Sequence, residues 1–306
     1  MIYKTEFKAM GCHMLAAIEY PSARAARLLA RVPEWFEAWE GSLSRFRSES
    51  ELSQLNSASG KVNQVSETLW NVFQASKVAY EQSAGLVTPA VLDALVMVGY
   101  SSSFDGLARD QAVNLRERFQ ILPLEAVEIW PEKRALRLPA GMRLDFGGMA
   151  KGWAAHQAML RLKSYGPALV NAGGDIAISG LGAEAQPWVV GIDDPLHAGQ
   201  SLGTLMLGRR GVATSGRDYR RWKQDGTWKH HIIDPRSGET AETDVVSATV
   251  IAPTVLEAEM AAKVLLILGS QAGVDWLKAH PNLSGLIVTE NGRLLSNPSF
   301  ESYLGS

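Results

Sequence analysis

Apolar residues recur at helical spacing in two early segments of the chain, and each segment follows a serine. The first predicted helix starts at Ser22 and runs to about Glu40, with an apolar stripe on one face. That stripe consists of Leu28, Leu29, Val32, Phe36 and Trp39. The second helix is capped by Ser66. Its buried face consists of Leu69, Val72, Phe73 and Tyr80.

Alternating and short apolar segments dominate the rest of the chain. Residues 127–130 and 135–138 flank a polar turn and predict a β-hairpin, and a helix after Gly148 ends near Ser164, before Gly166. Further strands are predicted at residues 168–170, 176–179, 188–192, 204–207, 211–213, 227–232 and 245–251. Helices at 254–268 and 272–279 precede a last pair of strands. Strands in hairpin succession with grouped helices predict an α+β fold with largely antiparallel sheets rather than a doubly wound parallel sheet.

Composition and charge narrow the class of protein. The chain has 306 residues, a length that suits two domains or one two-lobed domain. Its 30 basic and 32 acidic residues give a net charge of −2. This balance argues against nucleic acid or an anionic membrane as partner. One cysteine, Cys12, excludes a disulfide framework and a four-cysteine zinc site. We expect no membrane span and a cytoplasmic location, or an extracytoplasmic one if a leader has been removed.

The segment from Leu144 to Trp153 contains a glycine pair followed by Lys151 and Gly152. Glycines at positive φ and the free amides of a helix start could hold a phosphate. A tight turn with an exposed lysine is an equally weighted alternative. The residue after Lys151 is glycine rather than serine or threonine, which excludes a Walker A loop, and the glycine order does not match the dinucleotide-binding fingerprint.

Three other segments combine turn glycines or serines with polar groups. Residues 171–175 lie between two strands and form either a binding loop or a plain β-turn. Thr214-Ser215-Gly216 follows the strand at 211–213 and offers phosphate-binding or turn-capping hydroxyls; a serine hydrolase is disfavoured because no nucleophile elbow surrounds Ser215. Arg45 and Arg47 either pair with phosphate or lie on a solvated strand, with Ser50 capping a turn of helix.

The richest segment is residues 230–238. A histidine pair at a strand end, followed by Asp234 and Arg236, offers a general base and an anion partner. Since neighbouring residues of a strand point to opposite faces, at most one of His230 and His231 faces a given site.

Together and in this order, these segments resemble the ApbE family, the FAD:protein FMN transferases. The resemblance extends from about Phe7 to Gly269. It rests on Met10-Gly11, Leu43-Ser44-Arg45-Phe46 with residues 50–56, residues 144–152, residues 171–175, Thr214-Ser215-Gly216, residues 231–238 and residues 248–253. It implies one two-lobed domain over residues 1–306.

The resemblance also implies an activity. Such an enzyme binds FAD, uses Mg²⁺ to activate the pyrophosphate, moves FMN onto a threonine or serine hydroxyl of a partner flavoprotein and releases AMP. Some relatives hydrolyse FAD to FMN and AMP. Phosphoryl transfer needs charge neutralisation on the phosphates and a base near the attacking hydroxyl, and the polar segments above supply both kinds of group.

Site residues are carried over from the family motifs position by position. The FAD contacts implied are Met10, Phe46, Leu86, Val87, Thr88, Lys151, Gln157, Thr214, Ser215, Gly216 and the backbone at Ile233. His231 would handle the acceptor's proton, with Asp234 nearby. The backbone carbonyl of Ala154 and the side chain of Glu259 would face the metal.

The chain departs from the family pattern at the metal positions. Glu259 stands where the family has aspartate, and Lys263 where it has a threonine ligand; a protonated lysine has no lone pair to offer. Residues 87–90, His156 and Cys12 also differ from the family pattern.

We therefore expect weak or absent Mg²⁺ dependence. Either the Lys263 ammonium occupies the place of Mg²⁺, or Glu259 and Lys263 form only a surface i,i+4 salt bridge. The first functional hypothesis is an FMN transferase with an altered metal site. The alternatives are a non-catalytic FAD-binding protein and an FAD pyrophosphatase.

Overall fold

The structure is a computed structural model, which describes residues 2–19, 23–104, 110–111 and 120–305. The strands are β1 (Ile2–Ala9), β2 (Cys12–Glu19), β3 (Asn63–Gln64), β4 (Asp110–Gln111), β5 (Glu128–Trp130), β6 (Ala135–Arg137), β7 (Ala168–Ala172), β8 (Asp175–Ile178), β9 (Trp188–Asp193), β10 (Ser201–Leu207), β11 (Gly211–Gly216), β12 (Arg221–Gln224), β13 (Thr227–His230), β14 (Ile233–Asp234), β15 (Glu239–Thr240), β16 (Val245–Ala252), β17 (Ser284–Thr289) and β18 (Leu294–Ser296). The α-helices are α1 (Ala23–Leu29), α2 (Val32–Leu43), α3 (Glu51–Ser57), α4 (Glu67–Gln82), α5 (Leu92–Met97), α6 (Ala150–Leu162), α7 (Val255–Leu268), α8 (Ser270–Ala279) and α9 (Pro298–Glu301).

The order of elements confirms the predicted α+β class. Within the described ranges every strand pairing is antiparallel except that of β12 with β4. The chain divides into two compact units. One contains the chain up to Glu37, Lys151–Asp218 and the chain from Thr243 onward; the other contains Ala38–Ala150 and Tyr219–Glu242.

The first unit is built on an eight-stranded antiparallel sheet with the order β1-β2-β7-β8-β11-β16-β17-β18. Strands β16 and β17 are buried at every position, so both faces of the sheet are covered there. Helix α7 packs on β11 and β16. The β9–β10 hairpin adds an apolar cluster with the sheet, consisting of Leu169, Ile176, Ile178, Val190, Ile192, Leu205, Leu207, Val212, Ile251, Leu286 and Phe300.

The second unit combines α3, α4 and α5 with three small sheets, of the orders β3-β6-β5, β13-β12-β4 and β14-β15. Its helix caps are those predicted: Ser50 accepts from the Ser53 amide at 3.0 Å, and Ser66 accepts from the Leu69 amide at 3.2 Å. The predicted hairpin pairs β5 with β6. An apolar cluster consists of Ala94, Leu95, Val98, Tyr100, Trp222 and Ile233.

Two predicted elements differ in the structure. The single helix expected from residue 22 to 40 is two helices, α1 and α2, with a break after Leu29. Pro33 lies in the first turn of α2. Proline has no backbone N–H, which costs nothing in a first turn because the N–H groups there have no partner within the helix. A helix that continued from α1 would need this N–H as a hydrogen-bond donor, so it breaks before Pro33. The expected cap Ser22 lies outside the described residues. Strand β13 ends at His230 rather than at residue 232.

None of the helices in the described ranges combines the length and apolar character that crossing a membrane requires.

Candidate active site

Lys151 and Asp175 form a buried ion pair in the first unit. Lys151 lies in the first turn of α6, and its Nζ donates to Oδ2 of Asp175, the first residue of β8. The side chains are 16% and 3% exposed. The expected alternative of an exposed lysine at this position is therefore wrong. A buried carboxylate and a buried ammonium are each costly alone, so the two groups hold each other in place.

The turn that precedes Asp175 is a two-residue hairpin turn. Gly173 and Gly174 connect β7 to β8 with φ values of 66° and 98°, which favour glycine at both positions. The Gly174 amide donates to Oδ1 of Asn171 at 2.8 Å. A Cβ on Gly173 would lie 2.7 Å from the Cβ of Cys12. The segment 171–175 is thus a β-turn, and this turn delivers Asp175 to Lys151.

Glu259 and Lys263 form a second ion pair, one turn apart on α7. Lys263 Nζ donates to Glu259 Oε1 at 3.1 Å. The Glu259 side chain is fully buried and that of Lys263 is 15% exposed, so the pair is not a surface salt bridge. The other carboxylate oxygen, Oε2, has no hydrogen-bond partner among the described residues and lies against Gly152 of α6.

The two pairs act on each other electrostatically. Burial lowers the pKa of Lys151, but the attraction of Asp175, then of Glu259, outweighs it, so the pKa lies above the ordinary lysine value. Burial raises the pKa of Glu259 to about 7, and Asp175 acts in the same direction. The nearby ammonium groups of Lys263 and Lys151 oppose this rise.

These residues do not fit a divalent metal ion. Mg²⁺ needs octahedral oxygen ligands at short distance, and each carboxylate here already holds an ammonium group. Glu259 Oε1 is bonded to Lys263, which cannot be a ligand. In the described ranges no three His, Cys, Asp or Glu side chains converge as a metal site would require. Ala154, whose carbonyl was expected to face the metal, is fully buried in α6.

The hydroxyl segment at residues 214–216 lies within a strand and does not follow one, because β11 extends to Gly216 through its pairing with β16. Oγ1 of Thr214 is hydrogen bonded to Oγ1 of Thr249 at 2.9 Å, while Ser215 is buried. These hydroxyls therefore cap no turn.

Two other expected FAD contacts lie on separate elements of this unit. Met10 is in the β1–β2 turn with a φ of 49°, next to Gly11. Gln157 is half-buried in α6, beside His156. Burial, followed by the charge of Lys163, lowers the pKa of His156.

In the second unit, Arg45 and Asp145 support the glycine pair. Arg45 Nε lies 2.5 Å from Asp145 Oδ2, and Asp145 Oδ1 accepts from the Gly147 amide at 2.7 Å. Neither Gly147 nor Gly148 has a positive φ, contrary to expectation. Glycine is needed at 147 because a Cβ there would lie 2.8 Å from Asp145 Oδ1. Arg45 is therefore a structural residue and is neither exposed nor available to a phosphate in the way that the sequence suggested.

Aromatic rings surround the Arg45 guanidinium. Its Cζ lies 4.1 Å from the centroid of Phe46 and 4.6 Å from that of Tyr100. Tyr100 stacks on Trp222 with 5.3 Å between centroids, and Phe46 is 43% exposed. The sequence indicates Phe46 as a site residue. It does not indicate Tyr100 or Trp222, because both are distant from Phe46 in the chain.

Three more expected contacts lie in the loop after α4. Val87 is buried, with its amide bonded to Ser83 Oγ at 2.9 Å, and Leu86 is half-buried. Thr88 Oγ1 accepts from the Ala90 amide at 3.2 Å, so this hydroxyl helps to order the loop.

The histidine pair divides into one structural and one candidate functional residue. His230 is 7% exposed, with Nε2 3.0 Å from the Ala241 carbonyl oxygen and Nδ1 accepting from the Ile232 amide at 3.3 Å. His231 is half-buried. Asp234 binds the guanidinium of Arg236 through both oxygens, at 2.9 Å and 2.7 Å, and this bonding raises the Arg236 pKa. Ile233, next to Asp234, is buried.

Comparison with known proteins places these features in a family. The ApbE family model matches residues 10–287. An FAD:protein FMN transferase from Klebsiella pneumoniae is 30% identical over 279 residues, which cover 89% of this chain and 85% of that protein. One from Treponema pallidum is 30% identical over 301 residues, with 92% and 83% covered.

Solved structures agree on the fold. The ApbE protein of Thermotoga maritima is similar over 100% of both chains, with a TM-score of 0.87 at 23% sequence identity. The flavin transferase ApbE of Vibrio cholerae is similar over 99% of both chains, with a TM-score of 0.82 at 23% identity.

Proposed function

Because the chain belongs to the ApbE family, we propose that this transferase moves FMN from FAD onto a threonine or serine hydroxyl of an acceptor flavoprotein and releases AMP. The observation that carries the proposal is the half-buried, protonated Lys151, which lies three residues after Gly148 and is held by Asp175. A fixed positive charge at a helix start is suited to a pyrophosphate.

The reaction replaces the phosphoanhydride bond of FAD with a phosphate ester bond to the acceptor. The acceptor's hydroxyl oxygen forms a bond to the phosphorus of the FMN half of FAD. The bond from that phosphorus to the bridging oxygen breaks, and its electron pair leaves with AMP. The hydroxyl proton passes to a base, so catalysis depends on positioning, charge neutralisation and proton removal.

We assign proton removal to His231, with Asp234 as its neighbour in the same segment. His231 is half-buried, whereas His230 uses both ring nitrogens within the fold. Asp234 is engaged with Arg236, so it acts as a fixed charge rather than as the base.

The residues that we propose to contact FAD are those of the family motifs. The proposed contacts are Met10, Phe46, Leu86, Val87, Thr88, Lys151, Gln157, Thr214, Ser215, Gly216 and the backbone at Ile233. Their roles differ: the exposed Phe46 ring offers an apolar face to a flavin, and Lys151 offers charge to phosphate. No step is assigned to Mg²⁺, because the residues at Ala154, Glu259 and Lys263 do not fit it.

The test is an incubation with FAD and a flavoprotein domain that accepts FMN on a threonine. Covalent flavin is read by in-gel fluorescence and AMP by chromatography. We expect both products, and neither covalent flavin nor matching AMP when the acceptor threonine is changed to valine. FMN and AMP without covalent flavin would identify a pyrophosphatase. Bound FAD with no AMP would identify a binding protein and overturn the proposal.

The histidine pair provides matched variants for the assigned base. His231→Asn should reduce transfer by about 100-fold or more under conditions in which the variant is folded. His230→Asn should lower the stability instead, because it breaks two buried hydrogen bonds. Equal transfer rates for wild type and His231→Asn would remove His231 from the mechanism.

A further inference from the structure

Helix α7 carries a buried carboxylate whose two oxygens have different surroundings. Glu259 Oε1 accepts from the Lys263 ammonium at 3.1 Å, and Oε2 lies against Gly152 of α6 with no hydrogen-bond partner among the described residues. The carboxylate is sealed from solvent, whereas the Lys263 side chain is 15% exposed. The ammonium is therefore the part of this pair that an incoming ligand would meet.

The charges around this pair are balanced when Glu259 is ionised. Lys151 and Lys263 then contribute two positive charges, and Asp175 and Glu259 contribute two negative ones; each ammonium donates to one carboxylate. A divalent cation added to this group would leave a net charge of +2 in a buried place, beside two ammonium groups. This placement carries large desolvation and repulsion costs.

From this arrangement we infer that the Lys263 ammonium, anchored by Glu259, supplies the positive charge on the pyrophosphate and that FMN transfer needs no divalent metal ion. The inference rests on the proposed function for the identity of the phosphate ligand. An ammonium offers three N–H donors and one charge in a fixed position, which suits phosphate oxygens. It differs from Mg²⁺ in that it cannot be removed by a chelator.

The close approach at Gly152 explains why the anchor is a glutamate. Its longer side chain reaches across to α6, where the absence of a Cβ on residue 152 leaves room for Oε2. The same reach sets Oε1 beside Lys263, four residues on, in the favourable order for a helical ion pair. Glu259, Lys263 and Gly152 thus form one unit, and changing the first two should change the cation preference of the site.

Metal binding is measured directly with Mn²⁺, whose electron paramagnetic resonance signal reports the free ion. With FAD present, wild-type protein should leave the free Mn²⁺ signal unchanged at a stoichiometric ratio. Stoichiometric loss of that signal would overturn the inference without any variant. The double variant Glu259→Asp/Lys263→Thr, with shorter oxygen ligands and no ammonium, should gain Mn²⁺ binding by at least 10-fold. A folded double variant that gains none would also contradict it.

Lys278→Thr is the matched control, because this lysine is on α8, is 68% exposed and forms its ion pair with Asp275 at the protein surface. It should behave as wild type in the Mn²⁺ titration. Lys263→Met should weaken FAD binding by about 10-fold through loss of one charged contact. Unchanged FAD binding in Lys263→Met would show that the ammonium does not face the phosphates.

Transfer assays with EDTA and with Mg²⁺ separate failure of the inference from failure of the proposed function. Equal rates of AMP release in the two buffers support both. Release only with Mg²⁺ overturns the metal-independent site and leaves the transferase in place. Bound FAD with no AMP in either buffer overturns the transferase, and the Mn²⁺ titration then still decides the cation question.

Discussion

Gly152 of α6 faces Glu259 of α7 so closely that a Cβ on residue 152 would overlap Oε2 of the carboxylate. Both helices belong to the same compact unit. Gly152 follows Lys151 in the first turn of α6, so the contact places a fully buried carboxylate beside the start of this helix. The local cost of a glycine inside a helix is therefore offset by the room that it leaves for the Glu259 carboxylate.

The close approach predicts that Gly152→Ala destabilises the protein. Although alanine favours helix, the new methyl group must displace the Glu259 side chain, which costs about 1–3 kcal/mol of unfolding free energy. Urea unfolding of both proteins measures the difference. Gly41→Ala is the control, since Gly41 lies in α2 with only one side-chain atom within 4 Å of a Cβ. It should stabilise by about 0.5–1 kcal/mol. If Gly152→Ala and Gly41→Ala changed the free energy of unfolding equally, the close contact between residue 152 and Glu259 would be contradicted.

The raised pKa of Glu259 predicts a pH-dependent stability. Folding favours the protonated carboxyl, so stability falls as pH rises from 4.5, the ordinary value, through about 7, the folded value. The full loss, about 3 kcal/mol, is reached above pH 7. Glu259→Gln removes this titration.

The comparison is made by urea unfolding at a series of pH values. The free energy of unfolding of wild type minus that of Glu259→Gln should decrease between pH 4.5 and 7 and stay constant above that range. A difference independent of pH would mean that Glu259 keeps an ordinary pKa in the folded protein.

Lys151 and Asp175 should be strongly coupled. Lys151→Met leaves the buried Asp175 carboxylate without its ammonium, which should cost about 3–5 kcal/mol. Adding Asp175→Asn removes the unpaired charge and should restore about 2 kcal/mol. FAD affinity, measured by flavin fluorescence, should stay low in the double variant, because the positive charge is still missing. Additive effects on stability would show that the two groups are independent.

Arg45 should not be replaceable by lysine. It holds Asp145, donates from Nη2 to the Tyr100 carbonyl oxygen at 2.7 Å, and lies over the rings of Phe46 and Tyr100. A lysine ammonium lacks the planar guanidinium group, which lies against the two rings while separate nitrogens reach Asp145 and the Tyr100 carbonyl oxygen. Arg45→Lys should therefore cost about 1–3 kcal/mol in thermal or urea unfolding.

Arg47→Lys is the neighbouring control for that change. Arg47 lies 3.7 Å from Glu40, and 34% of its side chain is exposed, so the substitution should leave stability unchanged within error. A comparable loss in both variants would argue against the special position of Arg45.

Local signals predicted many of the elements correctly. Ser50 and Ser66 cap the helices that follow them, as predicted. The helix predicted from residue 254 is capped by Thr254, in a full reciprocal arrangement with Glu257. Such caps depend on residues three apart, so one sequence contains the whole signal. The break between α1 and α2 was missed because the apolar stripe continued across it, although Pro33 marked the place.

The candidate site was predicted less evenly. The sequence indicates Lys151, but it leaves Asp175 in either a binding loop or a β-turn and Arg45 either at a phosphate or on a solvated strand, and it predicts neither the Lys151–Asp175 pair nor the Arg45–Asp145 pair. These pairs join residues distant in the chain. A single sequence indicates which residues carry charge, but the choice of partner depends on strand register and helix packing.

The order of its motifs established that the chain belongs to the ApbE family, and the family model and the relatives confirm this. The lysine at position 263 also follows from the sequence alone. Whether that lysine forms a surface salt bridge or an ion pair with a buried carboxylate depended on the tertiary structure, because the packing of α7, which includes its contact with Gly152 of α6, buries Glu259 completely. Burial turns a weak helical pair into part of a cluster of four ionisable groups, Lys151, Asp175, Glu259 and Lys263.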